Sequence, residues 1–261
     1  MPLVDTEQLM ESTYRQMELS TERMRENLKG VRIVGVHSGK GGVGKTTVAI
    51  NVAVLLAKNK RVGLLDADID CPNVPKMLGI TGTLATENGL IQPAEKHGIK
   101  VVSTALMRAD DTKPFIMRGP MKHHILMQLL ARTNWGPLDV LVIDLPPGTS
   151  DVPLSVMQLV RPDGIVCVTT PQDVAVLDAK KSINMARSLG VRVLGIVENM
   201  SGDVFGAGGG ERAARELGVT YIGSVALNGD IVKASENGAP AVEASPKVRN
   251  DFERILEAAA L

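Results

Sequence analysis

The sequence predicts an α/β fold with a doubly wound, mostly parallel sheet. Three observations carry this. An apolar run (Val31, Ile33, Val34, Val36) leads into a glycine-rich stretch and then a segment free of Gly and Pro from Val48 to Ala57, the order strand, loop, helix. Two more apolar runs, 62–65 and 140–143, each end in an aspartate, Asp66 and Asp144, as buried parallel strands do when their carboxyl ends hold the chemistry. Further on, strand-like and helix-like segments alternate over 164–169, 174–189 and 191–198. The expected division is an N-terminal helical extension over residues 1–30 and one α/β domain over 31–261.

Taken in order, residues 5–29 read as a helix. Met10, Tyr14, Met17, Thr21, Met24 and Leu28 recur at spacings of four and three among charged neighbours, and Gly30 stops the run. Such a narrow stripe predicts packing against the body of the protein, with a partner contact as the alternative.

Gly39-Lys40-Gly41-Gly42-Val43-Gly44-Lys45-Thr46-Thr47 fits G-x-x-x-x-G-K-[ST], a phosphate-binding loop, the P-loop or Walker A pattern. Its glycines let backbone N–H groups close on phosphate oxygens, and a helix beginning near Gly44 adds unpaired N–H groups and the positive end of its dipole. Lys45 is expected to reach the β- and γ-phosphates of ATP, and the β-phosphate of ADP. The Thr46 hydroxyl is expected to ligate Mg²⁺, and Thr47 to sit at the α-phosphate.

Asp66, Asp68 and Asp70 alternate where the second strand ends. Asp66 and Asp68 are the candidates for orienting the attacking water, with Asp68 also a candidate for Mg²⁺. Residues 79–98 read as loop, 100–106 as a strand and 119–133 as a helix. His123 and His124 are neighbours on that helix, so they diverge by about 100° and make a poor metal pair. Asp144 is the expected Walker B acid supporting Mg²⁺. The loop after it, 145–151, is stiffened by Pro146 and Pro147, and Gly148 can offer its N–H to a γ-phosphate. Cys167, inside an apolar strand, reads as an inert thiol. Residues 202–210 read as a flexible glycine loop. The final helix has one apolar side, Val248, Phe252, Ile255 and Ala259, without the basic polar face of a membrane-surface helix.

Composition narrows the classes. The 261 residues are 44% apolar with 29 basic and 29 acidic side chains, so no overall field favours nucleic acid. No apolar run approaches the ~20 residues of a membrane span. The N-terminus is polar and acidic, unlike a secretory signal, and two distant cysteines, Cys71 and Cys167, suit reduced thiols; a cytoplasmic protein is expected.

The segments S-G-K-G-G-V-G-K-T-T, D-A-D-I-D-C-P-N, D-L-P-P-G-T-S-D, V-E-N-M-S and F-G-A-G-G-G follow the order and spacing of the Mrp/ApbC group, to which the chain after residue 30 is similar throughout. Its loop, with Lys40 after the first glycine, resembles the deviant Walker A of MinD, ParA and the nitrogenase iron protein. The resemblance implies an ATP-hydrolysing homodimer that carries iron–sulfur clusters to apoproteins. It implies that Lys40 reaches the partner's nucleotide, that Asn199 faces adenine, and that 66–73 and 144–151 are two nucleotide-sensing switches. Within this span the sequence departs from the group in two respects. The usual C-x-x-C between V-x-N-M and F-G-x-G-G-G is absent, and Cys71 and Asn73 stand where the first switch has glycine and serine. A dimer would offer two Cys71 and two Cys167, of which Cys71 is the candidate cluster ligand. Two other readings share the loop: a MinD/ParA-like positioning ATPase, which the neutral charge and last helix disfavour, and a nucleotide-driven switch that loads a metal or protein client.

Overall fold

The computed structural model describes residues 18–107 and 119–261. Its centre is an eight-stranded sheet in the order β10-β9-β8-β1-β7-β2-β6-β5. Strands β1 (Arg32–His37), β2 (Val62–Asp66), β6 (Ile99–Ser103), β7 (Val140–Asp144), β8 (Gly164–Thr169), β9 (Val193–Ser201) and β10 (Tyr221–Ala226) run parallel, and β5 (Ala94–Lys96) pairs antiparallel to β6. β1 lies between β7 and β8, and the chain crosses over it in both directions, so the loop after β1 opens at a topological switch point.

Strand alternation sorts the apolar side chains onto two faces. Val34, Val36, Leu64, Val140 and Val142 pack with α2 (Lys45–Leu56) and with α10 (Pro246–Ala258). Ile33, Leu65, Leu141 and Ile143 pack with α4 (Gly119–Arg132) on the other side. α2 is buried nearly all round, which explains why its sequence is apolar on every face instead of amphipathic. α10 buries Val248, Phe252 and Ile255, and its C-cap Ala259 is buried on the same side, as the periodicity predicts.

Residues 18–27 are helical. Met24 and Leu28 are buried against the α4 side, and the Asn27 amide donates to the Leu130 and Thr133 carbonyls. The described part of the stripe therefore packs on the body; Met10, Tyr14 and Met17 lie outside the described residues.

Several expectations are corrected. Residues 79–98 are not simply loop: β3 (Thr86–Glu87) and β4 (Leu90–Ile91) form a hairpin, and β5 follows. The turns Asn88-Gly89 and His97-Gly98 have positive φ at both residues, the two-residue primed geometry that favours Asn-Gly. Strands of two or three residues are too short to show periodicity, but the Asn-Gly pair was a usable signal. The strand expected at 100–106 ends at Ser103 and gives way to a 3₁₀ turn, Thr104–Met107. Residues 202–210 are not a loose loop either. Gly202 and Gly206 exchange N–H···O bonds of 2.9 and 2.7 Å across a closed turn, and α7 (Gly209–Leu217) starts soon after it.

Candidate functional site

The loop 39–44 joins β1 to α2, with Gly42 and Gly44 at φ of 80° and 82°. Two of its glycines are required by their neighbours. A Cβ on Gly39 would run into the Asp178 carbonyl of α6 (Asp173–Ser188), and one on Gly44 into the Asn199 amide. Lys45 opens α2, and its ammonium is buried 2.7 Å from Asp144 Oδ1. The other oxygen, Asp144 Oδ2, is buried without a hydrogen-bond partner. Burial pushes Asp144 up from the usual carboxylate range, opposed by Lys45 and the Thr46 hydroxyl. An orphaned carboxylate oxygen beside a threonine hydroxyl fits a hard divalent cation, so Thr46 and Asp144 suit Mg²⁺. Lys40 is exposed and has no ion pair among the described residues.

The two acids proposed for water orientation sit differently. Asp66 is fully buried; it accepts from the Ser103 hydroxyl at 3.0 Å and from the Asp68 and Val74 N–H groups at 3.2 and 3.3 Å. Burial and then the Asp144 charge push it up to about 8. Asp66 thus braces the loop from beneath. Asp68 is half-buried and open to solvent, and its Oδ1 accepts from the Cys71 N–H at 3.2 Å. Asp70 is paired with Lys122 of α4 at 2.6 Å, tying this loop to the helix. Ser103 was missed by sequence reading, and nothing in its neighbourhood would have signalled it.

Gly148 has φ +83°, and its N–H already donates to the Ser38 carbonyl at 2.8 Å. That bond must open before the group can serve a phosphate. Asn199 lies within β9, not at a turn beyond it. Its Nδ2 donates to the Val43 carbonyl at 2.8 Å, and the residue lines a cavity of about 360 Å³ with Thr47, Met77, Met200, Leu227 and Ile231. The cavity is mostly apolar and adjoins the phosphate loop, as a base pocket should.

Glu198, also missed, is buried; its carboxylate accepts from the Gly208 and Gly210 N–H groups at 2.9 and 2.6 Å, anchoring the N-terminus of α7. An acid inside an otherwise apolar strand was the available signal. The neighbouring turn, 202–206, spans residues 202–204, which stand between the two segments that flank C-x-x-C in the resembled group; its residues are exposed and contain no cysteine.

Cys167 is buried, with its thiol pushed up to about 12 by burial, whereas Cys71 is exposed on the loop after β2. Among the described residues no three His, Cys, Asp or Glu side chains gather as a metal site. A chromogenic disulfide reagent is expected to titrate one thiol per native chain and two after denaturation. The native signal should vanish in Cys71→Ala and persist in Cys167→Ala.

A parallel sheet with a glycine loop at its switch point, a buried lysine opening the next helix and an acid closing the adjacent strand define a P-loop nucleotide-binding protein. Residues 30–260 match the family described as ParA: NUBPL iron-transfer P-loop NTPase. The chain belongs to this family. It is 44% identical to an iron–sulfur cluster carrier protein of Methanocaldococcus jannaschii, over 90% of this chain and 86% of that one. It is 42% identical to the mouse iron–sulfur cluster transfer protein NUBPL, over 84% of this chain and 73% of the other. A nucleotide-binding protein from Archaeoglobus fulgidus, solved in complex with ADP, superposes with a TM-score of 0.77 at 36% identity, covering 89% and 96% of the two chains. The cell-division ATPase MinD of Pyrococcus furiosus shares the fold, with a TM-score of 0.68 at 24% identity. Among the described residues no helix is long and apolar enough to cross a membrane.

Proposed function

We propose that the chain is a cytoplasmic ATPase that dimerises around two ATP molecules and uses their hydrolysis to hand iron–sulfur clusters to apoproteins. The observation that carries the nucleotide part is the buried Lys45–Asp144 pair beneath the glycine loop, with Asp144 Oδ2 left without a partner. A buried ion pair with an unused acceptor is a poor device for stability alone. It serves well as a placeholder that triphosphate and cation exchange into.

The chain's residues then act as follows. N–H groups of the 39–44 loop and of the first turn of α2 bind the phosphates, and Lys45 leaves Asp144 for the β- and γ-phosphates. Thr46, Asp144 and Asp68 would hold Mg²⁺, which supplies charge neutralisation on the phosphates. Asn199 Nδ2 spends one of its two N–H donors on the Val43 carbonyl, which fixes the amide and leaves Oδ1 to accept from the adenine amino group. Asp68, the accessible acid, orients water, while Asp66 keeps the switch loop in register. Lys40 crosses to the partner's nucleotide. Gly148 exchanges the Ser38 carbonyl for the γ-phosphate, so that hydrolysis releases the second switch.

The cluster, as cargo, is the less provisioned half. Each chain has one exposed thiol, on the first switch, where nucleotide state would reposition it. Two Cys71 from a symmetric dimer are half of the usual four thiolates, so the other two come from outside the dimer, from a client or partner or, in reconstitution, from an added small thiol. Anaerobic reconstitution with iron and sulfide tests this. Wild type is expected to retain cluster absorbance that Cys71→Ala loses while its ATP hydrolysis continues. Equal cluster retention by Cys71→Ala would overturn the Cys71 assignment, and no retention by wild type would overturn cargo binding by this chain alone.

A further inference from the structure

His37 closes β1, immediately before the phosphate loop, and is completely buried. Neither ring nitrogen forms a hydrogen bond with the protein. An apolar side chain would avoid that cost, so an unpaired imidazole here calls for a reason. Its surroundings supply one. β1 alternates Val34 and Val36 toward α2, and His37 takes the other face, in register with Cys167 of β8. The bonds from Leu145 N–H to the Val36 carbonyl and from Gly148 N–H to the Ser38 carbonyl, 3.0 and 2.8 Å, bracket His37 with the second switch. The Pro146 and Gly148 backbone lies near the ring, short of hydrogen-bond geometry, and favours its protonated form, so these groups are acceptors facing the ring. Burial, with the Lys45 charge, outweighs them and lowers the imidazole to about 4, so the ring is neutral and owns one N–H donor. The next residue, Ser38, holds the same switch through its carbonyl and the Gly148 N–H.

We infer that His37 is a positioning residue for the second switch, donating a ring N–H to the backbone carbonyl of Pro146 or Gly148 when the Gly148 N–H leaves Ser38 for a γ-phosphate. The ring sits beside both partners of the bond that must break, with its donor unspent. Only the triphosphate draws Gly148 away, so the new bond forms with ATP and not with ADP. His37 thereby favours the ATP-bound arrangement without touching nucleotide. This inference rests on the reading of the chain as an ATPase.

The protein has four histidines, few enough to resolve their ring nitrogens by long-range ¹H–¹⁵N spectroscopy, with His37 assigned by its loss in His37→Phe. In wild type, adding a non-hydrolysable ATP analogue with Mg²⁺ should produce a slowly exchanging His37 N–H that ADP does not produce. In His37→Phe, ADP affinity should stay within about twofold, while affinity for the analogue and kcat each fall about tenfold, the scale of one hydrogen bond. His37→Asn, which restores a donor, should recover part of both. Identical His37 signals with ADP and analogue, or an unchanged ratio of analogue to ADP affinity in His37→Phe, would overturn the inference while leaving wild-type hydrolysis intact. Wild type that binds no ATP would instead remove the ATPase reading, and this inference with it.

Discussion

Lys45→Ala is expected to abolish binding of ATP and ADP, with affinity falling at least about 10²-fold, since charge-assisted contacts to two phosphates are worth about 1.5–3 kcal/mol each. Isothermal titration calorimetry with Mg²⁺ present reads this directly. The geometry adds a second effect. Lys45 is the cation paired with Asp144, which is fully buried. Removing one member of a buried pair costs about 3–5 kcal/mol because it strands the other charge. The variant should therefore melt earlier in the absence of nucleotide. Lys45→Ala combined with Asp144→Asn should regain most of the melting temperature but none of the binding, since no charge is then stranded. Wild-type affinity in Lys45→Ala would refute the assignment of the loop, and a double variant no more stable than the single would refute the pair.

Lys40→Ala should behave in the opposite way. Lys40 is exposed on the loop and takes no part in the Lys45–Asp144 pair, so nucleotide affinity and stability should be almost unchanged. Hydrolysis should fall about 10³-fold or more, the scale set by arginine fingers supplied in trans. Wild-type turnover per chain should rise with protein concentration until dimers saturate, and the variant should show no such rise. Full turnover by Lys40→Ala would end the trans role. Loss of binding together with turnover would mean that Lys40 serves its own chain's phosphates.

The parts of the fold that were legible share one property: each is long enough to repeat a pattern, or is a motif whose chemistry dictates its geometry. β1, β2 and β7 announced themselves as apolar runs, the last two with acidic ends, and the phosphate loop as glycines followed by Lys-Thr. The α10 face followed from four apolar positions. The hairpin β3–β4 was invisible because two-residue strands have no period, and only Asn88-Gly89 marked it. The site was legible in outline and not in detail. That Asp66 would be sealed beneath the loop and Asp68 left accessible depends on Ser103, a residue 37 positions away brought alongside by β6. Glycines at 202–210 suggested mobility because sequence shows permissive φ but not what fixes it. Here Glu198 and the reciprocal Gly202–Gly206 bonds do so.

α2 is wrapped by the sheet on one side and by α9 (Ala241–Ala244) and α10 on the other; its Asn51 accepts from the Val242 N–H at 2.9 Å. A helix so enclosed is a stator. On the proposed mechanism the backbone of Lys45 and Thr46 stays fixed when bound phosphate changes, and displacement falls on the two segments carrying Cys71 and Gly148. The interior of the molecule would then set the direction of the stroke, and the rim deliver it.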